Sequence, residues 1–188
     1  MSLNNNNNNN KNNTTTINSN QIETRLAAIG LKIPERLKVP PDVKTPSTWV
    51  RIRENKAYIS GHGPQNPDGS VAGPFGKVVG VGQDVGLGEQ VSVKQAYESA
   101  KLAGLSILGS LKRELGRLDR VTAWLQVRGM VNTVPGFTQT TDVINGFSDL
   151  ILTLYGTEVG MHARSAIGVQ ALPLGLPVII EGLVEIDG

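Results

Sequence analysis

The sequence predicts an α+β fold of two layers, with helices packed on one face of a mixed sheet. Two patterns and their order carry that expectation. Apolar residues recur at three- or four-residue spacing over two stretches, Val93 to Leu111 and Val143 to Leu154, as amphipathic helices require. Elsewhere they alternate or run in short apolar stretches bounded by turn residues, as strands do. The resulting order is strand, strand, long helix, strand, helix, strand, strand.

The elements follow from local chemistry. Met1 to Asn20 is polar and Asn-rich with almost nothing to bury, so residues 1–20 are expected to be a disordered tail. Residues 21–188 are then a single domain. Ile22, Leu26 and Ile29 predict a short helix that stops at Gly30, and prolines at 34, 40, 41 and 46 exclude regular structure up to Ser47. Val50, Ile52, Ala57 and Ile59 alternate around Glu54-Asn55-Lys56, a hairpin. Residues 61–89 are rich in Gly and Pro and read as a long loop with a minor strand near Val78. Ser92 and Gln95 have the spacing of a capping box opening the long helix, which ends before Gly116. Val121, Ala123, Leu125 and Val127 alternate, predicting a strand with one buried face. Asp142 to Tyr155 is the second main helix, with Gly156 as its stop. Ser165 to Ala171 and Val178 to Ile186 are strands joined by the turn LPLGLP.

Composition removes several classes of function. The chain has 188 residues, 39% hydrophobic and 4% aromatic, a net charge of +2 and no cysteine. Disulfides, zinc-thiolate sites and thiol nucleophiles are therefore excluded. With His62 and His162 as the sole histidines, no metal or other cofactor is expected. No apolar run is long enough to span a bilayer and no secretory pattern opens the chain, so the expected location is the cytoplasm, without a membrane partner. No G-x-S-x-G elbow or phosphate-binding G-x-x-x-x-G-K-[ST] is present. Lys112, Arg113, Arg117 and Arg120 cluster at the end of the long helix without an aromatic platform, which suits a solvated helix end better than nucleic acid. What remains is Arg164, just before an apolar strand.

The segment HARSAIGVQALPLGLPVIIEGLVEI resembles the C-terminal signature of the Rid family (reactive intermediate deaminases, also called YjgF-like or endoribonuclease L-PSP-like proteins). YISGHGP, LGRLDRVTAWLQV and VINGFSDLILTLYG resemble further stretches of that family in the right order, covering about Gln21 to Ile186. IETRLAAIGLKIPE, NGFSDL and HARSAIGV are most similar to a less-studied branch. The resemblance implies a chorismate-mutase-like fold and a homotrimer with a small carboxylic-acid ligand at each subunit interface. Carried over by position, Arg164 matches the arginine that grips the substrate carboxylate, Ser60 and Gly61 the strand end lining the pocket, and Asn145 the helix asparagine near it. Trp49 falls near the family's pocket tyrosine. A guanidinium suits a 2-imino or 2-oxo acid because its planar fork matches a carboxylate.

One position departs from the family. Counting from Arg164 through Pro173, the glutamate thought to position the attacking water is Ile179 here, and Glu181, two residues on, becomes the candidate catalytic carboxylate beside Arg164. His62 and His162 stand near the matched residues. Two readings stay open: hydrolysis of an enamine or imine to a 2-oxo acid and ammonia, or binding of a small carboxylate without chemistry. RNA cleavage, the family's alternative name, ranks last because no acid-base pair for it is visible.

Overall fold

The computed structural model describes residues 20–39, 46–80, 82 and 90–188. The Asn-rich run up to Ser19, Pro40 and Pro41, and most of the glycine-rich stretch 81–89 lie outside the described residues.

α1 (Gln21–Ala28) leads into β1 (Val50–Arg53) and β2 (Lys56–His62), which form an antiparallel hairpin. Its turn is the tight pair Glu54-Asn55, with Glu54 at φ 54. β3 (Lys77–Val79) pairs in parallel with β4 (Gln90–Ser92), a strand that the sequence pattern did not reveal. α2 (Val93–Leu115) starts with the expected box: Gln95 N–H donates to Ser92 Oγ at 3.3 Å and Ser92 N–H to Gln95 Oε1 at 2.9 Å. It ends at Gly116, whose φ of 82 favours glycine. β5 (Val121–Asn132), α3 (Thr140–Gly160), β6 (Ala163–Val169) and β7 (Val178–Ile186) complete the order. Gly156 does not end α3. It breaks the helical backbone at φ 73, and the segment continues to Gly160.

The main sheet has the order β1-β2-β7-β5-β6. β5 and β6 are parallel, which requires a crossover, and α3 supplies it. The other pairs are antiparallel. α2 and α3 pack on each other and cover one face, where Leu108, Leu111, Phe147, Ile151, Trp124 and Ile180 are sealed from solvent. Each such apolar side chain contributes about 1.5 to 3 kcal/mol by burial. Trp124 meets Phe147 and Tyr155 edge-on, with ring centroids at 5.5 and 6.0 Å. Close helix approach depends on Gly146, where a Cβ would lie 2.0 Å from the Tyr97 carbonyl oxygen.

Strict alternation in β5 fails, because Thr122 and Leu125 are extra residues opposite β7. Val121, Trp124, Val127 and Val131 are the buried set, while Ala123 and Leu125 are half-buried. A bulge shifts the phase of every side chain after it, so a period-two reading loses register there. Among the described residues the opposite face of the sheet carries no helix, and it mixes Tyr58, Met130, Ile167, Ile179 and Leu183 with Arg51, Arg128 and Glu181. Among the described residues, no helix is long and apolar enough to cross a membrane.

Candidate functional site

Arg164 sits on β6, the edge strand, in register with the buried Val127, so its side chain leaves the sheet on the helix-covered side. There α3 presents Asn145 and Ser148, three residues apart and hence on one helix face. Arg164 Nη1 donates to Asn145 Oδ1 and to Ser148 Oγ, both at 2.9 Å. Among the described residues Arg164 has no carboxylate partner. His162 completes the cluster: its Nδ1–H donates to the Gly160 carbonyl at 2.8 Å, so Nε2 accepts from Ser148 Oγ at 3.0 Å. Burial first, then the Arg164 charge, lowers the His162 pKa and favours the neutral ring. The result is a half-buried guanidinium, aimed by two neutral oxygens, with further N–H donors free for an anion.

A second cluster lies where β2 ends. His62 is 4% exposed, its Nδ1–H donates to the Ser60 carbonyl at 2.6 Å, and Nε2 accepts from Ser110 Oγ of α2 at 2.8 Å. Desolvation, reinforced by Arg113, holds its pKa at about 4 against a backbone hydrogen bond that raises it. Arg113 Nη2 in turn donates to Ser110 Oγ at 3.2 Å. Trp49 packs on the imidazole, ring centroids 5.1 Å apart. Around these residues is a cavity of about 220 Å³ that Gly61, Leu37, Leu176 and Ile179 also line.

Of the residues expected to act together, the structure joins Arg164 with Asn145, and Trp49 with Gly61. The two pairs are separated by three strand spacings, about 14 Å across the sheet. Ser60 goes elsewhere: its Oγ donates to the Thr48 carbonyl at 2.7 Å, and it lines a broad concavity on the open face with Arg51, Tyr58, Arg128 and Glu181. Glu181 is not brought to Arg164 within the chain. It faces the opposite side of the sheet and pairs with Arg128 at 3.1 Å. Ile179 and Glu181 share that side, as their spacing requires, but line different concavities.

Ser148, Ser110 and Arg36 are site residues that sequence reading missed. The spacing of Ser148 from Asn145 was a usable signal, whereas nothing local marks Arg36. The basic cluster of α2 is mostly spoken for: Lys112 pairs with Glu23, and Arg117 and Arg120 both pair with Asp187. Among the described residues no group of three or more His, Asp or Glu side chains is placed to hold a metal ion.

Comparison with known proteins places this geometry in context. Protein TCP17 of Trypanosoma cruzi is 31% identical over 172 residues, covering 91% of this chain and 98% of that protein. The Atu1372 protein of Agrobacterium tumefaciens, of unknown function, has a crystal structure that superposes with a TM-score of 0.73 at 33% identity, covering 89% of this chain and 94% of that one. A crystal structure from Shewanella oneidensis MR-1, named as a candidate endoribonuclease, gives the same TM-score at 24% identity, over 89% and 100% of the two chains. No family model matches the sequence.

Proposed function

The chain belongs to the Rid family, and from that premise we propose that it binds small 2-oxo or 2-imino acids through Arg164. The observation that carries this reading is the guanidinium itself, half-buried on an edge strand, held by Asn145 and Ser148 and without an acidic partner among the described residues. A cation so placed is oriented in advance and stays unneutralised until an anion arrives. Trp49 and the strand end at Ser60 and Gly61 reach such a ligand only from a second copy, because the sheet separates them from Arg164 in one chain. The proposed assembly is a homotrimer with the β6 edge of one copy against the β2 end of the next. Light scattering should give about 60 kDa, three copies of a 20.0 kDa chain; a mass near that of one chain overturns the assembly.

Binding without chemistry is the favoured form of this reading. Hydrolysis converts an imine carbon-nitrogen double bond and water into a carbonyl and ammonia, and needs the water held in line. Ile179 offers no group for that, and Glu181 is committed to Arg128. The wild type should hydrolyse 2-aminoacrylate-derived imine no faster than buffer, and Ile179→Glu should create activity.

Calorimetry with pyruvate tests the site. Arg164→Ala should abolish binding while leaving the fold intact, since removing one partner of a desolvated charge pair costs on the order of 2 to 5 kcal/mol. Arg164→Lys should rescue poorly, because an ammonium lacks the planar fork. Equal affinity of wild type and Arg164→Ala would remove Arg164 from the site.

A further inference from the structure

The cavity beside His62 has the parts of a binding site without any help from a second copy. Its body is apolar, from Leu37, Trp49, Leu176 and Ile179, and its interior polar groups are already satisfied: His62 by Ser60 and Ser110, Gln65 through its contact with the Gly69 carbonyl. At its edge stand two arginines. Among the described residues Arg113 hydrogen-bonds to neutral oxygens, Ser110 Oγ at 3.2 Å and the Pro34 carbonyl at 3.4 Å, and Arg36 arrives on the N-terminal segment that forms one wall. Neither has an ion pair among the described residues, while nearby Lys38 and Lys112 both do. Burial and then the Arg36 charge lower the Arg113 pKa, against Glu114, which raises it, so the two cations lie within electrostatic reach of each other.

Two like charges that share an opening repel one another, Glu114 offsets this only in part at Arg113, and an anion between them relieves the rest. The wiring behind Arg113 matches that behind Arg164: arginine to helix serine, serine to histidine, histidine to a backbone carbonyl. A volume of about 220 Å³ equals roughly seven waters, the size of a small organic acid rather than a nucleotide or peptide. Trp49 and the flat face of neutral His62 form a corner that suits a planar apolar body.

We propose that this cavity is a ligand site distinct from Arg164, taking a small carboxylic acid with a compact apolar or aromatic body whose carboxylate lies between Arg36 and Arg113. The cavity shares Trp49 and Gly61 with the wall proposed for the Arg164 ligand, but its cations are its own.

Benzoate is the probe and benzamide its uncharged counterpart, read by calorimetry and by the emission of Trp49 in the full-length protein. Benzoate should bind and benzamide should bind at least about tenfold more weakly. The double variant Arg36→Ala/Arg113→Ala should lose benzoate by about tenfold or more, and its melting temperature should be little changed because both side chains are exposed. Arg164→Ala should still show a benzoate site that the further changes Arg36→Ala/Arg113→Ala remove, whatever benzoate the Arg164 site itself gives up. Three results overturn the proposal: no benzoate binding, equal binding of benzamide, or loss of benzoate in Arg164→Ala with retention in the double variant. The last would make the cavity a wall of the Arg164 site. Pyruvate titrations of the same variants judge the Arg164 reading separately, so either can fail alone.

Discussion

Around His62 and around His162 the same groups are strung in the same order. Arg113, Ser110 of α2 and His62 end on the Ser60 carbonyl, and Arg164, Ser148 of α3 and His162 end on the Gly160 carbonyl. Both histidines are held as the tautomer with the proton on Nδ1, since each Nδ1 faces a carbonyl. They differ in depth. His62 is sealed beneath Trp49, whereas His162 is half-buried and meets Phe147 edge-on at 5.7 Å. The cations differ too: Arg164 has two short bonds to side-chain oxygens on one helix face, and Arg113 has two longer bonds and a second arginine beside it. The lesson is that a hydrogen-bond chain of fixed chemistry sets orientation, while burial and the neighbouring charges decide what the oriented group does. The sealed histidine is a structural commitment that titrates with stability. At the outer end of each chain stands an arginine without an ion pair among the described residues.

The strongest way to break the comparison is to disturb both chains at once. Gly146 lets α3 approach α2, which carry Ser148 and Ser110 respectively, and a Cβ there meets backbone that cannot yield. Gly146→Ala should cost about 3 kcal/mol or more, at or beyond the upper end of overpacking effects. A urea titration would show the loss, and pyruvate and benzoate binding should fall together.

Acid separates the two histidines. His62 titrates near 6.5 in the unfolded chain and near 4 in the folded one, so between those values the unfolded state binds more protons. The stability is complete above about pH 6.5 and is lost as pH falls toward 4, a loss on the order of 3 kcal/mol. His62→Gln should flatten urea midpoints across that window. The replacement of His162 in the same way should change them less, because its ring is half-buried. Equal flattening would erase the distinction in depth.

The smallest effects come from the serines. Ser110→Ala leaves His62 Nε2 buried without a donor and should cost about 1 to 3 kcal/mol. Ser148→Ala should cost about 1 kcal/mol, because the His162 ring that loses its donor is half-buried where His62 is sealed, but it should weaken pyruvate binding several-fold by loosening Arg164. Stability loss for Ser148→Ala as large as for Ser110→Ala, with unchanged pyruvate affinity, would assign both chains to the scaffold.

Much of the fold was legible in the sequence because its signals are local. The capping box at Ser92 and Gln95, the glycine stop at Gly116, and the apolar stripes of α2 and α3 each lie within one element, where residue spacing alone sets which side chains share a face. Arg164 and Asn145 were legible as a pair through family resemblance, and the α3 crossover puts them in contact. Other features needed the whole fold. The register shift between Ile59 and His62 lets both residues, three apart, face the helices, so that His62 meets Ser110 of α2 where simple alternation would turn it to the open face. The bulges of β5 depend on its pairing with β7, and no periodicity within β5 announces them. Glu181 is two residues from Ile179, yet its partner is Arg128 on the adjacent strand, across the sheet from Arg164. The meeting of Arg36, Arg113 and His62 draws on a proline-bounded segment, a helix and a strand end. Sequence spacing encodes what one element does to itself, whereas a cavity and its charges arise from packing between elements that no single spacing records.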